Sequence, residues 1–470
     1  MTGAGSDHRL RSKRVLPCGV CDRLLAPNEE PKKIVMGADV IVLGAGPAGI
    51  GAALALGQSA LVLESQPDVA GLSQTIVYDD VVFDLGGHSF HTPHAQVKEL
   101  VFGALPMEEQ VRDAWVWMEG EWLRYPFQKH FGKLKSEKIR SACESGLQAA
   151  GGWERAAHFD EYISSRFGAG IATHFMRPYN RKLWGRDLAR MEADWVNERV
   201  AAPSATAPQR METAGGKRKP LQDDTMIAYP ATGGFGQIFT ALARQIRSLR
   251  LGQTVTEIDP VRQTLTLAGG ERHTWSRIVS TLSLPRLLGL LPAVPAAISA
   301  SVSGLEALPI RLVLLTFNRP ISQARQRVYN PGAMPGHKIV FNNTSSQWLR
   351  AQPRHGIQVE VSETGEGSDS RTDSQTLIAR TIEGLTQMGL ITADNPVHAA
   401  KVIRLPLGYP VPTHERTRIV ERARHWLATQ HIYIAGRFGE WSYINSDEAL
   451  HRGLSLGRQL SGEGAHGCIA

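Results

Sequence analysis

The stretch DVIVLGAGPAGIGAALAL, from Asp39 to Leu56, decides how the first part of this chain folds. An apolar run at 40–43 leads into a turn in which Gly44, Gly46 and Gly49 have the spacing G-x-G-x-x-G. The apolar run predicts a buried parallel strand, and the small residues after the turn predict a helix packed closely against it. In such a unit the first glycine permits the tight turn. The second lets the backbone approach a pyrophosphate, and the third allows close helix–strand packing.

A second apolar run, LVLE at 61–64, ends in an acid that follows Gly44 by 20 positions. An acid at this spacing bonds the ribose 2′-hydroxyl of a dinucleotide, while the N-terminus of the helix faces the phosphates. We therefore predict a dinucleotide-binding site that also includes Pro47, Ala48 and Ser65 beside the glycines and Glu64. The motif alone does not distinguish NAD from FAD.

The composition limits the class of protein. The chain has 470 residues, enough for two or three domains, and 42% of them are apolar. No apolar run is long enough for a membrane span or a signal peptide, so we expect a cytoplasmic protein. The net charge is +7, without a basic block interleaved with aromatic residues. The charge therefore favours a phosphorylated small substrate, or has no functional meaning, and does not indicate nucleic acid.

Four cysteines in a chain of this size indicate a reducing compartment. Cys18 and Cys21 form a C-x-x-C pair, but a zinc site needs two further ligands and the sequence has no second pair. We therefore predict no metal site. The sequence leaves the oligomeric state open.

Changes in composition divide the chain into an extension and three domains. Residues 1–36 are charged and aperiodic, which is typical of a flexible extension. Residues 111–224 are predicted to form a helical substrate domain ending in a flap loop at 201–224. Residues 305–399 contain RLVLLTF, HKIVFNN and IQVEVSE and are predicted to form an antiparallel sheet domain.

The rest of the chain is predicted to form the nucleotide-binding domain. A Gly-ended strand with a following helix, IYIAGRFGEW and then NSDEALHRGLSLGRQL, lies near the C-terminus, far from the opening motif. We therefore predict an α/β fold with a discontinuous Rossmann-type FAD-binding domain, assembled from 37–110, 225–304 and 400–465. This layout differs from that of a compact NAD dehydrogenase.

The sequence after Glu64 resembles the amine oxidase-like FAD proteins. It has a Gly-x-Ser loop at 71–73, a hairpin, and FDLGGH at 83–88, and VSTLSLPRLL at 279–288 is also similar. The resemblance implies a set of FAD contacts, with His88 near the flavin N5 and Val255 near the adenine. Beyond the first motif, these contacts are Gly71, Leu72, Ser73, Gly86, Gly87, His88, Val255, Gly436, Arg437 and Asp447.

Four further strings resemble the UDP-galactopyranose mutases, especially the eukaryotic-type branch. They are YPFQ at 125–128, FMRPYNRKLW at 175–184, GYPVPTHER at 408–416 and GRFGEWSY at 436–443. The resemblance covers about residues 38–465. It implies attack of reduced flavin N5 on the anomeric carbon of a nucleotide sugar, loss of UDP, and ring closure to the furanose. Since no second G-x-G-x-x-G is present, NAD(P)H would bind transiently or a separate reductase would supply electrons.

The same resemblance implies the substrate side of the site. His88, Arg177 and Arg319 would be catalytic, the arginines because a guanidinium can bond two phosphate oxygens at once. The substrate-binding side chains would be Tyr125, Phe127, Asn180, Trp184, Tyr409 and Tyr443.

The chain departs from the mutase pattern on the substrate side. The family has an arginine directly after the tryptophan of GRFG-x-W, where this chain has Ser442. The segment 329–346, expected to supply tyrosines, offers His337 and Lys338 instead. Two enzyme classes therefore stay open: a mutase-like enzyme, including a diverged one in natural product biosynthesis, and a flavin oxidase or desaturase of a small amine or alcohol. A non-catalytic flavoprotein is disfavoured by the complete phosphate-binding turn.

Overall fold

The computed structural model describes residues 34–35, 39–196, 200, 225–363 and 372–462. Cys18, Cys21 and the predicted flap loop at 201–224 lie outside the described residues. Within these ranges the strands are β1 (Ile34–Val35), β2 (Val40–Leu43), β3 (Ala60–Leu63), β4 (Thr75–Tyr78), β5 (Val81–Asp84), β6 (Met107–Val111), β7 (Ala114–Met118), β8 (Glu121–Arg124), β9 (Met226–Pro230), β10 (Leu249–Arg250), β11 (Val255–Asp259), β12 (Thr264–Leu267), β13 (Arg272–Thr274), β14 (Arg277–Ser280), β15 (Ala307–Phe317), β16 (Arg327–Tyr329), β17 (Lys338–Val340), β18 (His355–Ser362), β19 (Ala399–Pro410) and β20 (Ile432–Ile434). The α-helices are α1 (Pro47–Leu56), α2 (Ala95–Ala104), α3 (Phe127–His130), α4 (Glu137–Gln148), α5 (Phe159–Ile171), α6 (Arg177–Trp184), α7 (Gln237–Ala243), α8 (Leu284–Leu288), α9 (Ala296–Val302), α10 (Gln347–Arg350), α11 (Ser374–Gln387), α12 (Arg416–Thr429) and α13 (Ser446–Ser461).

A five-stranded parallel sheet, in the order β10-β3-β2-β14-β20, carries the opening motif. All four side chains of β2 are buried, as its apolar run predicts. The second strand, predicted at 61–64, is found at 60–63. The last helix, α13, packs on α1, and a Cβ added at Gly453 would lie 2.0 Å from the Ala48 carbonyl oxygen. Elements that are far apart in the sequence therefore build one layer.

A seven-stranded sheet, in the order β19-β15-β18-β17-β16-β7-β8, forms the second large layer. All neighbouring strands are antiparallel except the parallel pair β16–β7. The predicted sheet is therefore present in β15, β17 and β18, but its limits differ from those predicted. The hairpin β7–β8 falls in the segment predicted as helical, and β19 falls in the segment assigned to the nucleotide-binding domain.

Side-chain alternation explains the first of these differences. Residues 114–118, Ala-Trp-Val-Trp-Met, alternate between buried and partly buried, which is the period of a strand with one face on the core. The second difference arises because β19 pairs with β15 along almost its whole length, a long-range contact that the local sequence does not reveal.

The helical insertion lies between β8 and β9. Helix α5 bends at Gly168, where φ is +70°, and a π-helical turn at Ala172–Met176 then leads into α6. Close packing of α4 on α5 requires glycine, since a Cβ at Gly170 would lie 2.1 Å from the Ala142 carbonyl oxygen. The bend directs one face of α6 towards the seven-stranded sheet. No helix among the described residues is both long and apolar enough to cross a membrane.

Candidate functional site

The glycine-rich turn has the geometry of a phosphate-binding loop. Gly44 has φ of +100°, a backbone conformation that other residues rarely adopt. A Cβ on Gly49 would lie 1.9 Å from the Gly44 carbonyl oxygen, whereas a Cβ on Gly46 would meet nothing within 4 Å. The turn is thus closed towards the sheet and open at Gly46, the N-cap of α1. An open backbone at a helix N-terminus is where a pyrophosphate is expected to bind.

Glu64 is fixed beside this turn at the carboxyl end of β3. One carboxylate oxygen accepts the N–H of Ala45 at 2.7 Å, and the other accepts the N–H of Gln66 at 2.8 Å and the Ser65 hydroxyl at 3.2 Å. The Ala70 N–H donates to the Ala45 carbonyl oxygen at 2.9 Å and ties the 71–73 loop to the turn. These residues fit the adenosine and pyrophosphate part of a dinucleotide.

A cavity of about 250 Å³ lies between the parallel sheet, the helical insertion and the seven-stranded sheet. One wall is a single face of α6 and the turn before it, with Met176, Tyr179, Asn180 and Leu183 at helical spacing. The loop after β5 and the loop after β20 form the opposite side. Aromatic, cationic and apolar side chains share the lining, and the floor comes from the seven-stranded sheet.

The floor is one row of side chains across four neighbouring strands. Tyr329 lies opposite Lys338, Lys338 opposite Glu360, and Glu360 opposite Leu312 in the strand register. Directly opposed residues share a face of a sheet, and all four side chains line the cavity. Tertiary pairing of distant strands therefore places an ion pair and a phenol side by side.

Glu360 is the centre of a buried hydrogen-bond network. Its carboxylate accepts the Gly87 N–H at 2.6 Å and the Tyr409 hydroxyl at 3.1 Å, and it pairs with Lys338 at 2.8 Å and His337 at 3.5 Å. Burial acts to raise the pKa of Glu360, but Lys338 and His337 outweigh it and hold that pKa well below its ordinary value. The carboxylate is therefore ionised at neutral pH.

The Gly86–Gly87–His88 loop is held from both sides. Arg327 donates to the His88 carbonyl oxygen, while the His88 ring stacks on Phe235 with centroids 4.9 Å apart. Burial and the nearby Lys338 lower the pKa of His88 to about 3, so its imidazole is neutral at pH 7. Its Nδ1 is buried and has no hydrogen-bond partner among the described residues.

Two arginines enter the cavity without a carboxylate partner among the described residues. Arg112 donates to the Tyr329 hydroxyl at 2.6 Å and lies 4.6 Å from the centroid of the Tyr125 ring. Arg437 donates to the carbonyl oxygens of Ile444 and Gly408. Since Lys338 is paired with Glu360, these guanidinium groups leave the cavity with an excess of positive charge.

The structure brings many of the predicted site residues together. Those that line the cavity are Leu72, Gly86, Gly87, His88, Tyr125, Asn180, Tyr409, Arg437 and Tyr443. Asp447 lies buried in the first turn of α13, and Gly436 adopts φ of +85° directly before Arg437. His337 and Lys338, noted as departures from the family pattern, also line the cavity.

Other predicted site residues lie outside the cavity lining. Arg177 is engaged by both carboxylate oxygens of Asp160, at 2.8 and 2.9 Å, and does not face the cavity. Arg319 is exposed beyond the end of β15, whereas the cavity contacts that strand near its start, at Ile310 and Leu312. At about 3.3 Å per residue, this places Arg319 far from the floor.

Phe127 and Trp184 are fully buried core residues and are not part of the cavity wall. Phe127 stacks on Phe175 at 4.8 Å, and Trp184 packs edge-on against Tyr409 and Tyr443. Both pack against side chains that line the cavity. Val255 begins β11 in a separate four-stranded sheet and packs in a hydrophobic core, so its predicted adenine contact stays a prediction.

Arg112, Glu360 and Tyr179 were missed from the sequence. Glu360 had a recognisable signal, a charged residue inside the apolar run IQVEVSE, since an acid in a buried strand requires a partner. Arg112 had none, because its neighbours in the cavity come from other strands. Among the described residues, no cluster of three or more His, Cys, Asp or Glu side chains could hold a metal ion.

A sequence model of the flavin containing amine oxidoreductases matches residues 47–443. The chain therefore belongs to this family of flavin-dependent enzymes, which confirms the predicted flavin cofactor class.

Solved structures show which flavoproteins have a similar fold. The chain is 25% identical to a reduced UDP-galactopyranose mutase, with a TM-score of 0.82, covering 91% of this chain and 96% of that one. It also shares its fold with putrescine oxidase bound to putrescine (15% identity, TM-score 0.62, 91% and 99% covered). Cyclohexylamine oxidase from Brevibacterium oxydans IH-35A is similar as well (17% identity, TM-score 0.64, 91% and 99% covered). The resemblance to the mutase-like flavoproteins is thus confirmed.

Proposed function

We propose that this chain is a FAD-dependent mutase-like enzyme that acts on a nucleotide sugar and interconverts its pyranose and furanose forms. The observation that carries the proposal is the charge of the cavity. Lys338 is neutralised by Glu360, whereas Arg112 and Arg437 have no carboxylate partner among the described residues. A cavity with this excess of positive charge favours a diphosphate and disfavours a cationic amine.

The chain's own residues would hold the cofactor at one end of the cavity. The open backbone at Gly46 would receive the pyrophosphate, Glu64 the ribose, and the Gly86–His88 loop would lie against the flavin ring. When bound and reduced, FAD supplies the nucleophilic nitrogen for the anomeric carbon of the sugar. The neutral His88 ring would lie beside the flavin without adding a charge.

The tyrosines of the cavity would bind the substrate through hydrogen bonds. Burial raises the pKa values of Tyr125, Tyr179 and Tyr409 above their ordinary range, so these phenols stay protonated at neutral pH. The hydroxyls of Tyr125 and Tyr179 can donate to phosphate and sugar oxygens, whereas the Tyr409 hydroxyl donates its proton to Glu360 and can only accept from a ligand. Together with Arg437 they would orient the diphosphate and exclude water from the reacting carbon.

The second candidate is a FAD-dependent oxidase or desaturase of a small amine or alcohol. An apolar part of the lining, formed by Leu72, Ile310, Leu312 and Leu405, offers room for a hydrocarbon substrate. The oxidases with the same fold are compatible with this reading. The positive cavity argues against an amine, so a neutral alcohol is the stronger form of this alternative.

A screen of the FAD-loaded protein separates the two candidates. UDP, GDP and dTDP sugars would be titrated into the reduced protein without oxygen, and primary amines and alcohols would be added in air to the oxidised protein, with hydrogen peroxide measured. The proposal expects binding that tracks the nucleotide and no substrate-dependent peroxide. Peroxide release with an alcohol or amine, and no nucleotide binding, would contradict it.

A further inference from the structure

Arg112 is a buried cation whose charge the described protein does not compensate. It lies between β6 and β7, where its N–H donates to the Thr225 carbonyl oxygen at 2.9 Å. The residue is 3% exposed and lines the cavity. Among the described residues, no salt bridge joins its guanidinium to a carboxylate, and its buried Nη1 has no hydrogen-bond partner.

The surroundings of Arg112 stabilise its charge only in part. The guanidinium lies over the Tyr125 ring at 4.6 Å and near the Tyr329 ring at 5.7 Å, and these two rings stack on each other at 4.5 Å. Cation–π contacts and one phenol hydrogen bond offset less of the desolvation cost of the guanidinium than a carboxylate would. A buried unpaired charge destabilises a fold, so its presence in a cavity indicates a site for an anionic ligand.

The other cations of the cavity are already engaged. Lys338 pairs with Glu360, and Arg437 donates to backbone carbonyl oxygens through all three of its nitrogens. Arg327 likewise bonds the carbonyl oxygens of His88 and Gln326. Arg112 therefore differs from these in having a buried donor nitrogen, Nη1, that no described group accepts, on a side chain that lines the cavity.

We propose that the Arg112 guanidinium binds a diphosphate oxygen of the substrate, with the Tyr329 hydroxyl beside it. Tyr329 is the cross-strand neighbour of Lys338, so an anion held at Arg112 extends towards a second cation along the same row. This inference rests on the proposed nucleotide-sugar function and assigns its phosphate contact to a residue outside the motifs. Arg112 thereby takes the role that the sequence assigned to Arg177.

Titration of UDP and of uridine into the oxidised, FAD-loaded protein tests this assignment. Arg112→Met keeps the aliphatic volume but removes the hydrogen-bond donors. Arg112→Lys keeps the positive charge but loses the paired N–H donors of the guanidinium. For Arg112→Met we expect UDP affinity to fall roughly 10- to 100-fold with uridine affinity unchanged, the size of a lost hydrogen bond to a charged group. We expect the UDP affinity of Arg112→Lys to lie between that of wild type and that of Arg112→Met.

A stability measurement separates ligand binding from a structural role. If Arg112 is kept for an anion, ligand-free Arg112→Met should melt at or above the wild-type temperature, since it removes an uncompensated buried charge. Arg124→Met, a half-exposed arginine on β8 that pairs with Asp113, is the matched control and should leave UDP affinity unchanged.

The outcomes distinguish this inference from the proposed function. UDP binding that is equal in wild type, Arg112→Met and Arg112→Lys overturns the role of Arg112 and leaves the nucleotide-sugar proposal standing. Equal losses of UDP and uridine affinity also overturn it, because the effect would then not depend on phosphate. Wild-type protein that binds no nucleoside diphosphate overturns the proposed function and this inference together.

Discussion

Gly87 donates its backbone N–H to Glu360 at 2.6 Å, although the two residues are 273 positions apart in the sequence. The same carboxylate oxygen also lies 2.8 Å from the Lys338 ammonium. One buried group thus joins the loop predicted to lie against the flavin to a cation on the cavity floor. A substitution of Glu360 should consequently affect both the Gly87 loop and Lys338.

We predict that Glu360→Gln lowers the free energy of unfolding by about 3 kcal/mol, because it leaves the partly buried Lys338 without a counterion. Adding Lys338→Met should restore part of this loss, since removing both partners is less harmful than removing one. Urea unfolding of the FAD-loaded protein measures both effects. The exposed Glu415→Gln is the control, and equal stability of Glu360→Gln and wild type would contradict the prediction.

Two glycine substitutions separate folding from cofactor binding at the turn. Gly49→Ala should destabilise the protein even without FAD, because its Cβ would lie 1.9 Å from the Gly44 carbonyl oxygen. Gly46→Ala should fold normally, since its φ of −75° suits alanine and its Cβ meets no protein atom within 4 Å. It should nonetheless weaken FAD binding roughly tenfold or more by filling the space left for the pyrophosphate.

Flavin fluorescence titrations and melting curves of the two variants check this pair. Gly46→Ala with wild-type FAD affinity would show that the pyrophosphate does not approach the turn at this residue.

Much of the nucleotide-binding unit could be predicted because its signals are local. Gly44, Gly49 and Glu64 act through neighbours in one strand–turn–helix–strand unit, and their spacing encodes the geometry. The substrate side depends on pairing between distant strands. Glu360 contacts Lys338 because β17 pairs with β18, and it contacts Gly87 because the loop after β5 lies against this pair. The spacing of these residues in the sequence does not reveal either contact.

Arg177 shows that a motif in the sequence does not reveal which way a side chain faces. Its motif suggested a phosphate contact, but the bend at Gly168 places α6 so that Arg177 faces Asp160, 17 positions earlier. The neighbouring positions Met176, Tyr179 and Asn180 face the cavity instead. The motif thus lies on a helix that borders the cavity, while the orientation of the helix decides which of its faces lines the cavity.

We accordingly predict that Arg177→Met leaves UDP affinity unchanged and lowers stability by about 1 kcal/mol, the scale of a partly exposed ion pair. Calorimetric titration of UDP and urea unfolding provide the two readouts. A tenfold loss of UDP affinity would instead return Arg177 to the substrate site.

The neutral state of His88 predicts a dependence of stability on pH. Its pKa is about 3 in the folded protein against 6.5 ordinarily, so below pH 6.5 the unfolded chain takes up a proton that the folded chain does not. Stability from this group is therefore fully present above pH 6.5 and is lost as the pH falls towards 3. The loss approaches about 1.4 kcal/mol per pH unit well below pH 6.5.

Urea unfolding of wild type and His88→Asn at pH 7.5, 6 and 5 isolates this contribution, because the other histidines are common to both proteins. We expect the wild type to lose more stability than His88→Asn over this range, by about 2 kcal/mol at pH 5. Parallel pH profiles would mean that His88 takes up a proton as readily in the folded protein as in the unfolded chain.

The most direct test of the proposed function is ring interconversion by the FAD-loaded protein reduced with dithionite. UDP-galactopyranose and UDP-galactofuranose would be incubated separately with reduced and with oxidised protein, and the products resolved by chromatography. We predict that the reduced protein converts each sugar into the other and that the oxidised protein converts neither. No turnover in either direction by the reduced, FAD-loaded protein would contradict the assignment as a mutase for this nucleotide sugar.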